Sequence, residues 1–238
     1  ANIDGLLIKE TFPQSFNGVL LFDAKTNEDM EQRVERLEQK NLLSMTVGCA
    51  GFAKILATKL FPEYELKNYS LKKPLVVICG SVNPITKKQV DYVEQRNYPR
   101  ISLTHHQLLR SNYWFDSEGK KKVDHYLSLM EKHPLILFET LSKETSIGIE
   151  SYKQEQGLDI SDFRFKIGRS LGELTQAIWS KDSENTFLFT GGDTLFQSMS
   201  VLGINRIKPL VEISAGVVLS SIVWKNPEIL VINKSGGY

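Results

Sequence analysis

Apolar runs of strand length recur along the chain: GVLLFDA (18–24), LLSMTVG (42–48), LVVICGS (75–81), LILFET (135–140), FLFTGG (187–192) and ILVINKSGG (229–237). They are near-continuous rather than alternating, which predicts strands covered by helices on both faces. Helical patterns lie between several of them. NEDMEQRVERLEQKN (27–41) opens with Asn27 as a candidate N-cap and sets Met30, Val34 and Leu37 on one face. GFAKILATKLF (51–61), NPITKKQVDYVEQRN (83–97), GRSLGELTQAIWS (168–180) and TLFQSMSVLG (194–203) complete the set. Asn83 before Pro84 is a helix-start signal, and Gly203 a C-terminal cap. The alternation predicts an α/β fold with a largely parallel sheet flanked by helices. The polar KNYSLKKP stretch (67–74) sets a boundary near residue 72, giving segments 1–71 and 72–238. SNYWFDSEGKKKVDHY (111–126) reads as a loop or hairpin insertion.

Composition adds mainly exclusions. With Lys+Arg 29 against Asp+Glu 28 the formal charge is +1, so no global field favours nucleic acid or an anionic membrane. KKK (120–122) and LKKP (71–74) read as solvated loops. No stretch reaches the length of a membrane span, and ANIDGLLIKE lacks the build of a signal peptide. Cys49 and Cys79 suit a reduced, cytoplasmic interior better than a disulfide framework. The His105–His106 pair cannot put both imidazoles on one face of a helix or strand, so it is a poor metal site.

Three segments share an apolar strand followed by small residues: LVVICGSVNP, FLFTGGDT and LVINKSGGY. In a parallel sheet, ligands bind beyond the carboxyl ends of strands. Glycine there admits an anion to the backbone N–H groups, and a following helix adds its positive end. Taken singly, each segment is equally readable as a tight turn. Neither GxxxxGK[ST] nor GxGxxG occurs. The residues themselves therefore predict a phosphate-binding rim and stop there.

The same segments resemble the nucleotide-binding C-terminal domain of the four-carbon acid sugar kinases, which phosphorylate threonate, erythronate and 3-oxo-tetronate. The matching pieces are GSVNPITKKQ (80–89), TGGDT (190–194), EISAG (212–216) and KSGGY (234–238), in the family's order. LLFDAKTNEDM (20–30) and TVGCAGFAKILA (46–57) are similar to the closing part of the family's sugar-acid-binding domain. Ala215 stands where the family has proline, and Cys49 where serine is common. The family's opening Asp-Asp-x-Thr-Gly signature has no counterpart, which implies that most of the sugar-acid-binding half is missing, through an engineered fragment, proteolysis or a split gene.

The resemblance implies ATP and Mg²⁺, with in-line transfer of the γ-phosphoryl group to a sugar-acid hydroxyl. It assigns Gly80 and Ser81 to the nucleotide; the Ser81 hydroxyl is equally readable as a cap on the following helix. Gly191 and Gly192 supply close backbone approach, with Thr194 as a second donor. Asp193 is read as a Mg²⁺ ligand through water, or as an N-cap carboxylate. Lys234 is a counter-charge or a surface lysine, and Ser235, Gly236 and Gly237 form a clasp. Arg169 reads as a solvated helix-start arginine or a phosphate contact. No catalytic base is assigned; the resemblance puts it on the missing half. Two other readings stay open: a sugar-phosphate isomerase or transferase, and a non-catalytic nucleotide-binding module working beside a partner chain or as a homo-oligomer.

Overall fold

The computed structural model describes residues 5–8, 17–62, 68–80, 83–157, 160–225 and 228–235. The chain divides into two compact units, residues 1–66 and 67–238. In the first, β1 (Gly5–Ile8) and β2 (Val19–Phe22) form a parallel pair, followed by α1 (Asn27–Gln39) and α2 (Ala50–Leu60). Asn27 is the first residue of α1 rather than its cap. Thr26 takes the cap: its hydroxyl accepts from Asp29 N, and the Asp29 carboxylate returns to Thr26 N in a capping box. Residues 42–48 are no strand. Leu43–Met45 form a 3₁₀ turn, and the Met45 and Val47 side chains stand in solvent at 91% and 103% exposure, so no sheet neighbour covers them.

The larger unit runs β3 (Leu75–Cys79), α3 (Pro84–Gln95), β4 (Arg100–Ser102), α4 (His105–Leu109), α5 (Ser117–Met130), β5 (Leu135–Glu139), α6 (Lys143–Gln156), α7 (Ile160–Trp179), β6 (Thr186–Thr190), α8 (Gly192–Val201), β7 (Lys208–Ser214), β8 (Val217–Val223) and β9 (Glu228–Lys234). Its seven strands lie in the order β4-β5-β3-β6-β9-β8-β7. The first five are mutually parallel; β8 runs against both β9 and β7.

Segment 111–126 is helical rather than a loop. Asp116 accepts from Glu118 N and Gly119 N and so starts α5, whose Val123, Tyr126 and Met130 turn inward. Gly119 is no turn residue; a Cβ there would stand 2.0 Å from the Tyr113 carbonyl, and the glycine lets the helix sit on that backbone. Lys120, Lys121 and Lys122 are solvated as expected, on the outer face of α5. Asn83 caps α3 through a 2.8 Å bond from Ile85 N.

The core lies mostly on the sheet face covered by α4, α5, α7 and α8, where Phe138, Phe187, Phe189, Leu174 and Ile178 are fully buried. Burying side chains of this size is the main stabilising term for the unit. A smaller cluster of Val77, Cys79, Val90 and Leu137 fills the opposite face under α3. Among the described residues, no helix is long and apolar enough to cross a membrane.

Candidate nucleotide-binding rim

The parallel strands finish level with one another. Cys79 at the end of β3 pairs with Glu139 of β5 on one side and with Thr190 of β6 on the other. Thr190 in turn pairs with Lys234 of β9, and Lys234 with Val217 of β8. The next residues, Gly80, Gly191 and Ser235, leave three neighbouring strands at one edge. At about 4.8 Å per strand, those exits span roughly 10 Å. Gly191 N donates to the Lys234 carbonyl at 2.9 Å, and Ser235 N to that of Gly216 at 3.0 Å, which adds the β7–β8 turn to the same rim.

Gly191 is the N-cap of α8 with φ +97°, a conformation that favours glycine, and no side chain caps this helix. Among the described residues no side chain accepts from its first-turn N–H groups, and Asp193 is the acid that this turn carries at the positive end of the helix. A Cβ added to Gly192 would meet nothing within 4 Å. Among the described residues, nothing stands against the helix at this glycine. Asp193 is the second helical residue and exposed. It is not the cap, because the chain enters the helix at Gly191.

Thr194 is buried, and its Oγ1 lies 2.6 Å from where a Cβ on Gly80 would be. Gly80 is therefore held to glycine by contact with the first turn of α8. Lys234 is half-buried and its Nζ donates to the Ser235 carbonyl at 2.9 Å. Burial holds its ammonium below the usual lysine value, with the Cys79 sulfur acting in the opposite sense. A desolvated ammonium of this kind gains more than a hydrated one when an anion arrives. Ser81, Gly236 and Gly237 lie outside the described residues.

Arg169 sits inside α7, not at its start, and its Nε pairs with Glu173 Oε1 at 3.0 Å. The histidine pair falls on α4, exposed, and among the described residues no three His, Cys, Asp or Glu side chains gather as a metal site. Neither Cys49 nor Cys79 is in a disulfide.

Sequence reasoning missed Glu139. It is fully buried at the rim, where it takes bonds from Arg100 Nε at 3.2 Å, from the Ser102 hydroxyl and from Leu141 N. Arg100 also reaches Asp91 and Glu94 of α3, so this network ties the helix that follows the first loop to the rim. The available signal was an acid ending an otherwise apolar strand.

Fold and rim together define a class: a largely parallel α/β domain whose strand-end loops and the N-terminus of α8 gather at the carboxyl ends of its strands. Residues 76–238 match the family described as a nucleotide-binding C-terminal domain. The chain belongs to that family, the C-terminal domain of the four-carbon acid sugar kinases. The D-threonate kinase of Salmonella typhimurium is 21% identical over 223 residues, 93% of this chain and 51% of that one. A Haemophilus influenzae protein has the same fold, with TM-score 0.68 at 18% identity over 92% of this chain and 50% of its own. A Bordetella bronchiseptica protein aligns with TM-score 0.51 at 15% identity, over 99% of this chain and 54% of its own. Its structure is described as a domain of unknown function, a domain-swapped dimer with bound citrate. The chain spans about half the length of these relatives.

Proposed function

We propose that this chain is the ATP-binding portion of a kinase that phosphorylates a four-carbon acid sugar such as threonate, erythronate or 3-oxo-tetronate. One observation carries the reading: Gly80, Gly191 and Ser235 leave adjacent parallel strands at one edge, beside the N-terminus of α8, which has no side-chain cap among the described residues. In this reading the N–H groups of Gly191, Gly192 and Asp193 and the Thr194 hydroxyl face the phosphates. Lys234 offsets their charge, and Gly80 with Ser81 closes the opposite wall. Ser235, Gly236 and Gly237 fold over the nucleotide.

The exposed Asp193 carboxylate would hold Mg²⁺ through water. That ion supplies neutralisation of the charge on the transferring group. The protein's share is positioning and exclusion of water. The citrate in the Bordetella neighbour is a small polycarboxylate, in keeping with an acidic acceptor substrate, and its dimer supports a homo-oligomeric reading here. Two cysteines outside any disulfide fit a reducing cytoplasmic setting.

ATP titration tests the reading. ATP with Mg²⁺ raises the melting temperature, and a phosphosugar alone does not; the reverse result would mark a sugar-phosphate binder. Gly192→Val should stay folded, since its Cβ meets no atom, yet lose nucleotide affinity at least tenfold. Unchanged affinity returns that loop to a plain turn. Asp193→Asn should weaken the Mg²⁺-dependent part of binding only.

A second reading draws on the first unit. Val19, Leu21, Met45, Val47, Leu60 and Phe61 are exposed there. That surface favours ATP binding without turnover, until a polypeptide carrying the rest of the sugar-acid-binding half is added.

A further inference from the structure

α7 runs against the parallel strands. Its Trp179 ring packs on Phe187 with centroids 4.9 Å apart, and its Nε1 donates to Asn185 Oδ1 at 3.3 Å, both at the amino end of β6. Eight residues earlier, Leu171 Cδ1 lies 3.0 Å from where a Cβ on Gly80 would stand, at the carboxyl end of β3. The helix begins at Ile160, so its first turns project past the strand ends. α8 lies alongside and runs the same way: Gln197 touches the position of Gly168, and Val201 that of Gly172. Counting back one turn from the Gly168–Gln197 contact brings residues 164 and 165 level with 193 and 194, in the first turn of α8.

Ile178 and Leu171 share one stripe of α7, seven residues apart, and are buried at 0% and 1% exposure. Another seven residues out, the stripe reaches Arg164, about 10 Å beyond Leu171 and exposed. Arg164 is also one turn before Gly168, so it stands between the face that meets Gly80 and the face that meets α8. Phe163 and Ile167 still pack against the core at this level, which anchors the helix here. An apolar stripe therefore ends in a cation where the sheet ends. Among the described residues Arg164 has no ion-pair partner. Arg169 differs: it is turned about 140° off this stripe, and Glu173 holds it at 3.0 Å. A guanidinium carried past the strand ends suits a group with several acceptor oxygens, because its planar fork can donate to two at once.

We propose that Arg164 is a phosphate-binding residue of the rim, reaching from the overhanging turns of α7 to nucleotide phosphates lying on the start of α8. The assignment rests on the phosphate reading of the rim. It adds a cation on the helical side to Lys234 at the strand ends.

The test is calorimetric titration of the full chain and of its Arg164→Gln, Arg164→Lys and Arg169→Gln variants with ATP and with tripolyphosphate, each with Mg²⁺. Thermal melting checks that each variant is folded. Arg164→Gln should lose about tenfold in affinity for both ligands with its melting temperature unchanged. Arg164→Lys should keep part of what glutamine loses, and Arg169→Gln should match the unaltered chain. Equal losses in Arg164→Gln and Arg169→Gln would mean a diffuse field along α7 rather than a contact, and overturn the proposal. A loss confined to ATP also overturns it, since the residue would then act on the nucleoside. Full affinity of Arg164→Gln for both ligands overturns it too, and leaves the rim reading standing. Failure of the unaltered chain to bind either ligand overturns the rim reading, and this proposal with it.

Discussion

The two compact units differ in how much they bury. In residues 67–238 the sheet lies between α4, α5, α7 and α8 on one face and α3 on the other, with Trp114, Phe138, Phe187 and Phe189 wholly enclosed. In the first unit Val34 and Leu37 are the buried apolar side chains among the described residues, and several large ones face solvent. A parallel pair of strands is stable only when both its faces are covered and more strands flank it. The larger unit meets that condition by itself; the smaller draws its order from α1 and α2 and their local bonds.

The contrast can be broken most directly in the cores. Phe138→Ala should cost about 3–5 kcal/mol in urea unfolding of the larger unit, against no more than about 2 kcal/mol for Leu37→Ala in the smaller. Equal losses would mean the first unit is as tightly packed as the second. Gly172→Val comes next. Its Cβ would stand 2.9 Å from Val201 Cγ2 and 3.0 Å from Ser198 Cα, so α7 and α8 must part, at about 1–3 kcal/mol in the same assay.

Alkaline pH sharpens the comparison. Burial, with the Glu118 hydrogen bond, pushes the Tyr113 phenol from 10.0 up to about 12. The unfolded chain ionises first, so stability of the larger unit should fall as pH rises from about 10 to about 12. Tyr113→Phe should flatten that fall in pH-dependent denaturation curves. The smallest effect is expected from Thr26→Ala, which removes the capping box of α1. It should lower the stability of the first unit by about 1 kcal/mol while leaving nucleotide titration unchanged.

Much of the sheet was legible because β3, β5, β6 and β9 are buried on both faces and so read as continuous apolar runs. The start of α3 was legible from Asn83–Pro84, a local signal that tertiary contacts did not override. β8 hid because Ser220 and Ser221 are buried in it, and β7 because its edge position leaves it largely exposed. α5 was concealed by a glycine that serves close packing rather than a turn. Gly168 similarly suggested a helix start, although α7 begins at Ile160; it is small because Gln197 lies against it. At the rim, glycine–serine spacing marked the loops. Glu139 gave no motif, since its significance lies in what surrounds it after folding.

The contact between Gly80 and Thr194 makes two distant stretches of chain mechanically dependent. A Cβ at position 80 would stand 2.6 Å from the Thr194 hydroxyl oxygen, so neither side chain can grow unless the other gives way. Evolution would then have to alter positions 80 and 194 as a pair, and a methyl group added at one should be tolerated only where the other has shrunk.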